Sequence, residues 1–157
     1  MNRDWFFKDE KNICNFRTVG VLIRRGKILL QRDKDGHEYA LPGGHVKINE
    51  ISQQSLIREY KEETNADIVC ERLIWVEESF WKWEDHNAST IAFYYLIKLT
   101  DDAGIPDGYC ESQKDNCNVV FEWVPIQDLG KLTVYPRFLV EKAGNISNSI
   151  EHFVSIE

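Results

Sequence analysis

Apolar residues cluster in short runs separated by turn-forming residues over most of the chain. The runs 16–23 (FRTVGVLI) and 27–31 (KILLQ) are rich in β-branched and aliphatic residues, the composition of strands. Arg24-Arg25-Gly26 between them reads as a tight hairpin turn. Residues 33–38 form a polar turn, and Tyr39-Ala40-Leu41-Pro42 continues extended. Residues 68–83 contain further strand-like runs, 84–89 read as a turn, and 90–99 (TIAFYYLIKL) is the most apolar run, as expected of a central strand. Residues 119–124 and 150–156 predict two more strands. Trp5, Phe6 and Phe7 in the lead-in segment are expected to cover an edge of the core.

Between residues 50 and 64 the period changes. This stretch has no Pro or Gly and is rich in Gln, Leu, Arg, Lys and Glu, which favour helix. At about 100° per residue, Leu56, Ile57, Tyr60 and Thr64 fall on the packing side. Asn49 is the expected N-cap. Asn65 is expected to end the helix in the left-handed conformation, which Asn tolerates better than most residues. Before the helix, Gly43 and Gly44 open GGHVKIN, read as a loop rather than a strand. A second helix is predicted over 135–143, with Pro136 near its start and Gly144 after its end. Residues 100–118 form the long irregular segment, and loops of that length are usually functional or disordered.

The first helix carries a charge problem. Glu59, Glu62 and Glu63 are neighbours on one face and repel one another. They also lie near the helix C-terminus, where the macrodipole disfavours anions. A hard divalent cation reverses that sign, because Mg²⁺ takes oxygen ligands and keeps waters for substrate phosphates. Arg58 is the neighbouring cation, suited to orient a carboxylate.

Composition narrows the class. The chain has 157 residues, 43% hydrophobic and 29% charged, which fits one soluble domain spanning 1–157. A formal net charge of −7 argues against a nucleic-acid-binding surface. It also means that an anionic substrate needs cations at the site. Cys14, Cys70, Cys110 and Cys117 contain no C-x-x-C pair, so a zinc site is not expected. The N-terminal MNRDWFFKDEK lacks the apolar run of a signal peptide, and no stretch is long enough to span a membrane. A cytoplasmic protein with reduced thiols is expected.

The acidic helix belongs to a longer spaced pattern. Gly44, Glu50, Arg58, Glu59, Glu62 and Glu63 match in register the signature G-x5-E-x7-R-E-U-x-E-E-x-G-U, where U is bulky and aliphatic. The stretch Gly44 to Ala66 therefore resembles the box of the Nudix hydrolases. Tyr60, Asn65 and Ala66 depart from the usual residues, but no charged position does. The resemblance implies an α/β Nudix fold, a mixed β-sheet sandwiched between α-helices. It implies Glu59, Glu62 and Glu63, with the carbonyl of Gly43, as ligands for Mg²⁺ or alternatively Mn²⁺. Arg58 and Glu50 would pair and aim Glu59. A strand-end arginine such as Arg32 reaches substrate phosphates in resembling proteins, and His45 in the box loop is a further phosphate candidate. The general base would be a box carboxylate or an acid of the long loop, with Glu111 and Asp115 the candidates. His37, His86 and His152 are expected to be solvated.

The implied reaction is hydrolysis of a phosphoanhydride in a nucleoside diphosphate linked to another group. The proline of many ADP-ribose hydrolases is absent from SFWKW downstream of the box. The tyrosine of dinucleoside-polyphosphate hydrolases and a coenzyme A signature are also absent. The default substrate is therefore a nucleoside triphosphate, oxidised ones included, giving the monophosphate and pyrophosphate. The alternatives are a nucleotide-sugar pyrophosphatase and a nucleotide sensor without turnover. The expected partner is a small nucleotide, with no nucleic acid and no membrane, and a homodimer is a family-level expectation.

Overall fold

The computed structural model describes residues 3–114 and 118–157. In chain order the strands are β1 (Phe6–Lys8), β2 (Asn12–Arg24), β3 (Lys27–Asp33), β4 (Glu38–Ala40) and β5 (Gly43–His45). Helix α1 (Ser52–Thr64) follows. Then come β6 (Ile68–Trp83), β7 (His86–Leu99), β8 (Tyr109–Glu111), β9 (Val119–Pro125) and β10 (Thr133–Tyr135). Helix α2 (Leu139–Lys142) and β11 (Glu151–Ile156) complete the chain.

The main sheet runs β10-β4-β3-β2-β7-β6-β11. It is mixed: β2 with β7, β4 with β10 and β6 with β11 are parallel, and the other pairs are antiparallel. Strand β7 lies inside the sheet between β2 and β6, as its apolar run predicted. Arg25 and Gly26 form the β2–β3 turn, both with positive φ, which suits the twist of a hairpin. Strands β2 and β3 stay paired only next to that turn, at Ile23–Ile28 and Arg24–Lys27. Beyond it β2 takes β5 as its partner, and β3 pairs with β9 and β4. The sheet therefore splits beside β2, and the split frames the functional site.

Each face of the sheet has its own core. Leu56 and Tyr60 of α1 pack with Leu22, Leu29, Tyr95, Ile97 and Phe121 on one face. On the other, Val21, Leu30, Trp75 and Tyr94 pack under Leu129, Val134 and Leu139. The second layer is thinner than the sequence pattern suggests. Residues 133–135 are drawn into the sheet beside β4, so only Leu139–Lys142 remain helical.

Three further expectations are corrected. The helix begins after Ile51, which makes no side-chain cap, while Asn49 sits at φ 71° in the loop. Its buried residues are Ser52, Ser55, Leu56, Glu59 and Tyr60. That stripe is rotated from the predicted one, so Ile57 is exposed and a carboxylate joins the packed side. Gly43 and Gly44 form a strand after all, pressed against β2. Trp5, Phe6 and Phe7 are partly exposed, and Trp5 covers the edge as expected, packing edge-on against Phe16, which in turn packs on Phe93 beside the α1-side core. Asn65 does end α1 in the left-handed conformation, with φ 61°.

Tyr60 gives a simple stability test. Its ring is fully buried and its hydroxyl has no hydrogen-bond partner among the described residues. An unpaired buried hydroxyl is a cost that phenylalanine avoids. Tyr60→Phe is expected to leave stability unchanged or raise it by up to about 1 kcal/mol in denaturant melts. A loss of that size would reveal a missing partner.

Candidate active site

The split sheet brings the box together. Strand β5 lies against β2, with Gly43 opposite Val19 and Gly44 opposite Thr18. A Cβ on Gly43 would collide with the Thr18 carbonyl and lie 2.9 Å from the Val19 Cα. A Cβ on Gly44 would lie 2.6 Å from Glu59 Cγ and 2.7 Å from its Oε1. The two glycines thus have different tasks: one lets two backbones touch, and the other leaves room for Glu59. That close approach, not a turn, is why glycine is needed at both positions.

Glu59 is 8% exposed and holds its carboxylate under Gly44. Arg58 reaches three acids, donating to Glu50 Oε1 at 3.2 Å, Glu59 Oε1 at 3.1 Å and Glu62 Oε1 at 3.4 Å. The predicted Arg58–Glu50 pair is present, and Ser55 also donates to Glu50. Burial would push the Glu50 carboxyl up, but the Ser55 and Arg58 hydrogen bonds outweigh it and hold the group below its ordinary value. Burial and then the Glu59 charge push Glu63 the other way, up to about 7.

The long loop supplies one more cation. The Gln113 amide donates to the Glu63 carbonyl at 2.6 Å, docking the loop on the end of α1. Lys114 Nζ then lies 3.6 Å from Glu59 and 3.9 Å from Glu62. Arg58 and Lys114 both bridge Glu59 and Glu62, and among the described residues no three acidic, His or Cys side chains converge as a ready metal cage. The donor set still fits a hard divalent ion. It is all oxygen, spans one helical turn, and already draws an ammonium to the place where positive charge is wanted.

A pocket of about 280 Å³, just below the usual ligand-site range, opens on the face of the sheet opposite α1. Arg17 and Val19 of β2, Leu41, Glu77 and Trp81 of β6, and Tyr135 line it. Arg17 links pocket and cluster. Burial lowers its affinity for a proton, and the charges of Tyr94, Glu59, Glu63 and Asp4 oppose that. Among the described residues its guanidinium forms no ion pair. Sequence reasoning missed Arg17, because a lone arginine in an apolar run gives no sign of which face it takes.

The other expected residues are placed as follows. His45 is on β5, 3.5 Å from Asp4, with burial and then Arg17 holding its imidazole below its usual range. Arg32 is held by the Lys34 carbonyl at 2.8 Å and by Glu122 at 3.4 Å, and does not line the pocket. Glu111 is paired with Lys34 at 2.9 Å; it is Lys114 of that loop that faces the box acids. Asp115 lies outside the described residues. Trp81 forms pocket wall, and Trp83 is exposed. His86 is half-buried and not solvated as expected; His152 pairs with Glu78 at 2.7 Å.

Comparison with known proteins identifies the family and the fold. The NUDIX domain family model matches residues 15–142, and the chain belongs to that family. It is accordingly an enzyme of the pyrophosphohydrolase class, acting on small nucleotide substrates. The fold is similar to that of a NUDIX hydrolase from Nitrosomonas europaea (TM-score 0.62, 15% identity, covering 96% of this chain and 82% of that one). It is also similar to a MutT NUDIX hydrolase from Burkholderia pseudomallei (TM-score 0.60, 22% identity, 82% and 96% covered). A third similar structure is an ADP-ribose pyrophosphatase from Streptococcus suis (TM-score 0.58, 18% identity, 90% and 98% covered). No curated protein matches the sequence significantly. Among the described residues no helix is long and apolar enough to cross a membrane.

Proposed function

We propose that the protein hydrolyses a nucleoside triphosphate to the monophosphate and pyrophosphate, with Mg²⁺ or Mn²⁺ as cofactor. One observation carries this reading: Arg17 lines a pocket of about 280 Å³ and lies within the field of Glu59 and Glu63 of the acidic turn. Glu59, Glu62 and Glu63, with the Gly43 carbonyl, would hold the cation. When bound it would acidify the attacking water and offset charge on the phosphoryl oxygens.

The chain's own groups do the rest. Glu50 and Ser55 hold Arg58, and Arg58 holds Glu59 in place. A carboxylate of the cluster accepts the proton of the attacking water. Arg17 donates to a phosphate oxygen, where charge builds as the anhydride bond breaks. Lys114, drawn to the acids in the free protein, is free to turn to the pyrophosphate once a metal takes its place.

The test is a panel of nucleoside triphosphates and nucleotide sugars, incubated with Mg²⁺ or Mn²⁺. Released phosphate is assayed with and without added pyrophosphatase. Phosphate that appears only with pyrophosphatase, and only from triphosphates, is the expected result. Turnover of nucleotide sugars alone would reassign the substrate, and no turnover of any compound would favour a sensor. Arg17→Ala is expected to lower kcat/KM by about tenfold or more, the worth of a charge-assisted hydrogen bond. An unchanged kcat/KM would remove Arg17 from the site.

A further inference from the structure

The pocket holds a carboxylate that the proposed chemistry does not use. Glu77 on β6 is only 6% exposed and lines the pocket floor. Tyr94 donates its hydroxyl to Glu77 Oε1 at 2.7 Å, and Ser155 of β11 donates to Oε2 at 2.7 Å. No cation pairs with it among the described residues. Burying a carboxylate with two neutral donors is costly, and a glutamine could anchor the same hydroxyls without the charge. An ionised carboxylate accepts about four hydrogen bonds and donates none. Glu77 therefore keeps roughly two acceptor sites, one on each oxygen.

Its position fits the edge of a base. Arg17 and Glu77 both lie opposite Ala92, on either side of β7. Two strand spacings separate their backbones by roughly 10 Å, the scale of a nucleoside between its 5′-phosphate and the far edge of its base. The small side chain of Ala92 leaves the floor between them open, and Trp81 and Tyr135 offer aromatic faces at the walls.

Resting on the nucleotide-hydrolase reading above, we propose that Glu77 determines base specificity and selects guanine. Guanine carries two adjacent N–H donors, N1–H and the 2-amino group, which match two carboxylate oxygens. Adenine and cytosine set their amino group beside a ring-nitrogen acceptor. Uracil and thymine flank their one N–H with carbonyls. Each of these places a lone pair against the buried charge, which is strongly disfavoured.

The experiment measures kcat/KM for GTP, ITP, ATP, CTP and UTP, and separately the binding of GMP, IMP and AMP by calorimetry without metal. Inosine lacks only the 2-amino group. Wild type is expected to prefer GTP over ITP by about tenfold or more, and GTP over ATP and UTP by more than that. GMP is expected to bind more tightly than IMP by a similar factor. Glu77→Gln should bring the GTP-over-ITP ratio below about threefold, whereas Ser155→Ala, which removes only an anchor, should keep it. Equal use of ATP and GTP, or a ratio unchanged in Glu77→Gln, overturns the assignment. So does failure of GMP to bind in preference to IMP. Guanine-selective binding without any turnover would instead overturn the hydrolase reading and leave the role of Glu77 standing.

Discussion

Glu62→Gln is expected to lower kcat by at least about a hundredfold, the scale of losing one preorganised electrostatic group at a reacting centre. The melting temperature should stay within a degree or two. Both parts follow from where the side chain sits. Glu62 is about half exposed, and among the described residues its ion pairs are with Arg58 at 3.4 Å and Lys114 at 3.9 Å. Exposed pairs of that kind contribute well under about 1 kcal/mol, so the fold has little to lose. The charge itself is what a divalent ion would bind. Steady-state kinetics at saturating Mg²⁺, with a thermal melt of the same sample, separate the two effects. Unchanged turnover would remove Glu62 from the metal site.

Gly43→Ala is expected to act on stability first. The added methyl meets backbone, the Thr18 carbonyl and the Val19 Cα, and backbone cannot rotate aside. Overpacking of this type costs about 1–3 kcal/mol. For a chain of this length that is a fall in melting temperature of roughly 3–10 °C. Gly44→Ala, one residue on, meets the Glu59 side chain instead. It is expected to melt near wild type and lose activity, because the carboxylate under Gly44 must move. If both variants merely lowered stability, the separate roles of the two glycines would be wrong.

Much of this was legible in the sequence. The β2–β3 hairpin, the interior β7 run and the acidic turn of α1 follow from local pattern, turn chemistry and periodicity. The Arg58–Glu50 pair was readable only through the spacing of the box, and it is formed. What stayed hidden is non-local. The rotation of α1 by which Glu59 is buried depends on the contact with Gly44 across β5. The reduction of the second helix to Leu139–Lys142 comes from residues 133–135 joining β4, a pairing across the chain that helix propensity cannot anticipate. Arg17 and Glu77 became visible as one site only when β7 set them on either side of Ala92. Arg32 had the right residue type at a strand end, but Glu122 and backbone carbonyls take its donors.

The central claim is that the acidic turn of α1 exists to hold a divalent cation. A crystal soaked in Mn²⁺, with anomalous diffraction collected at the manganese edge, tests it most directly. The account predicts a peak bound by Glu59, Glu62 and Glu63, with Lys114 displaced from the acids. A map with no such peak, and with Arg58 and Lys114 still bridging Glu59 and Glu62, would contradict it.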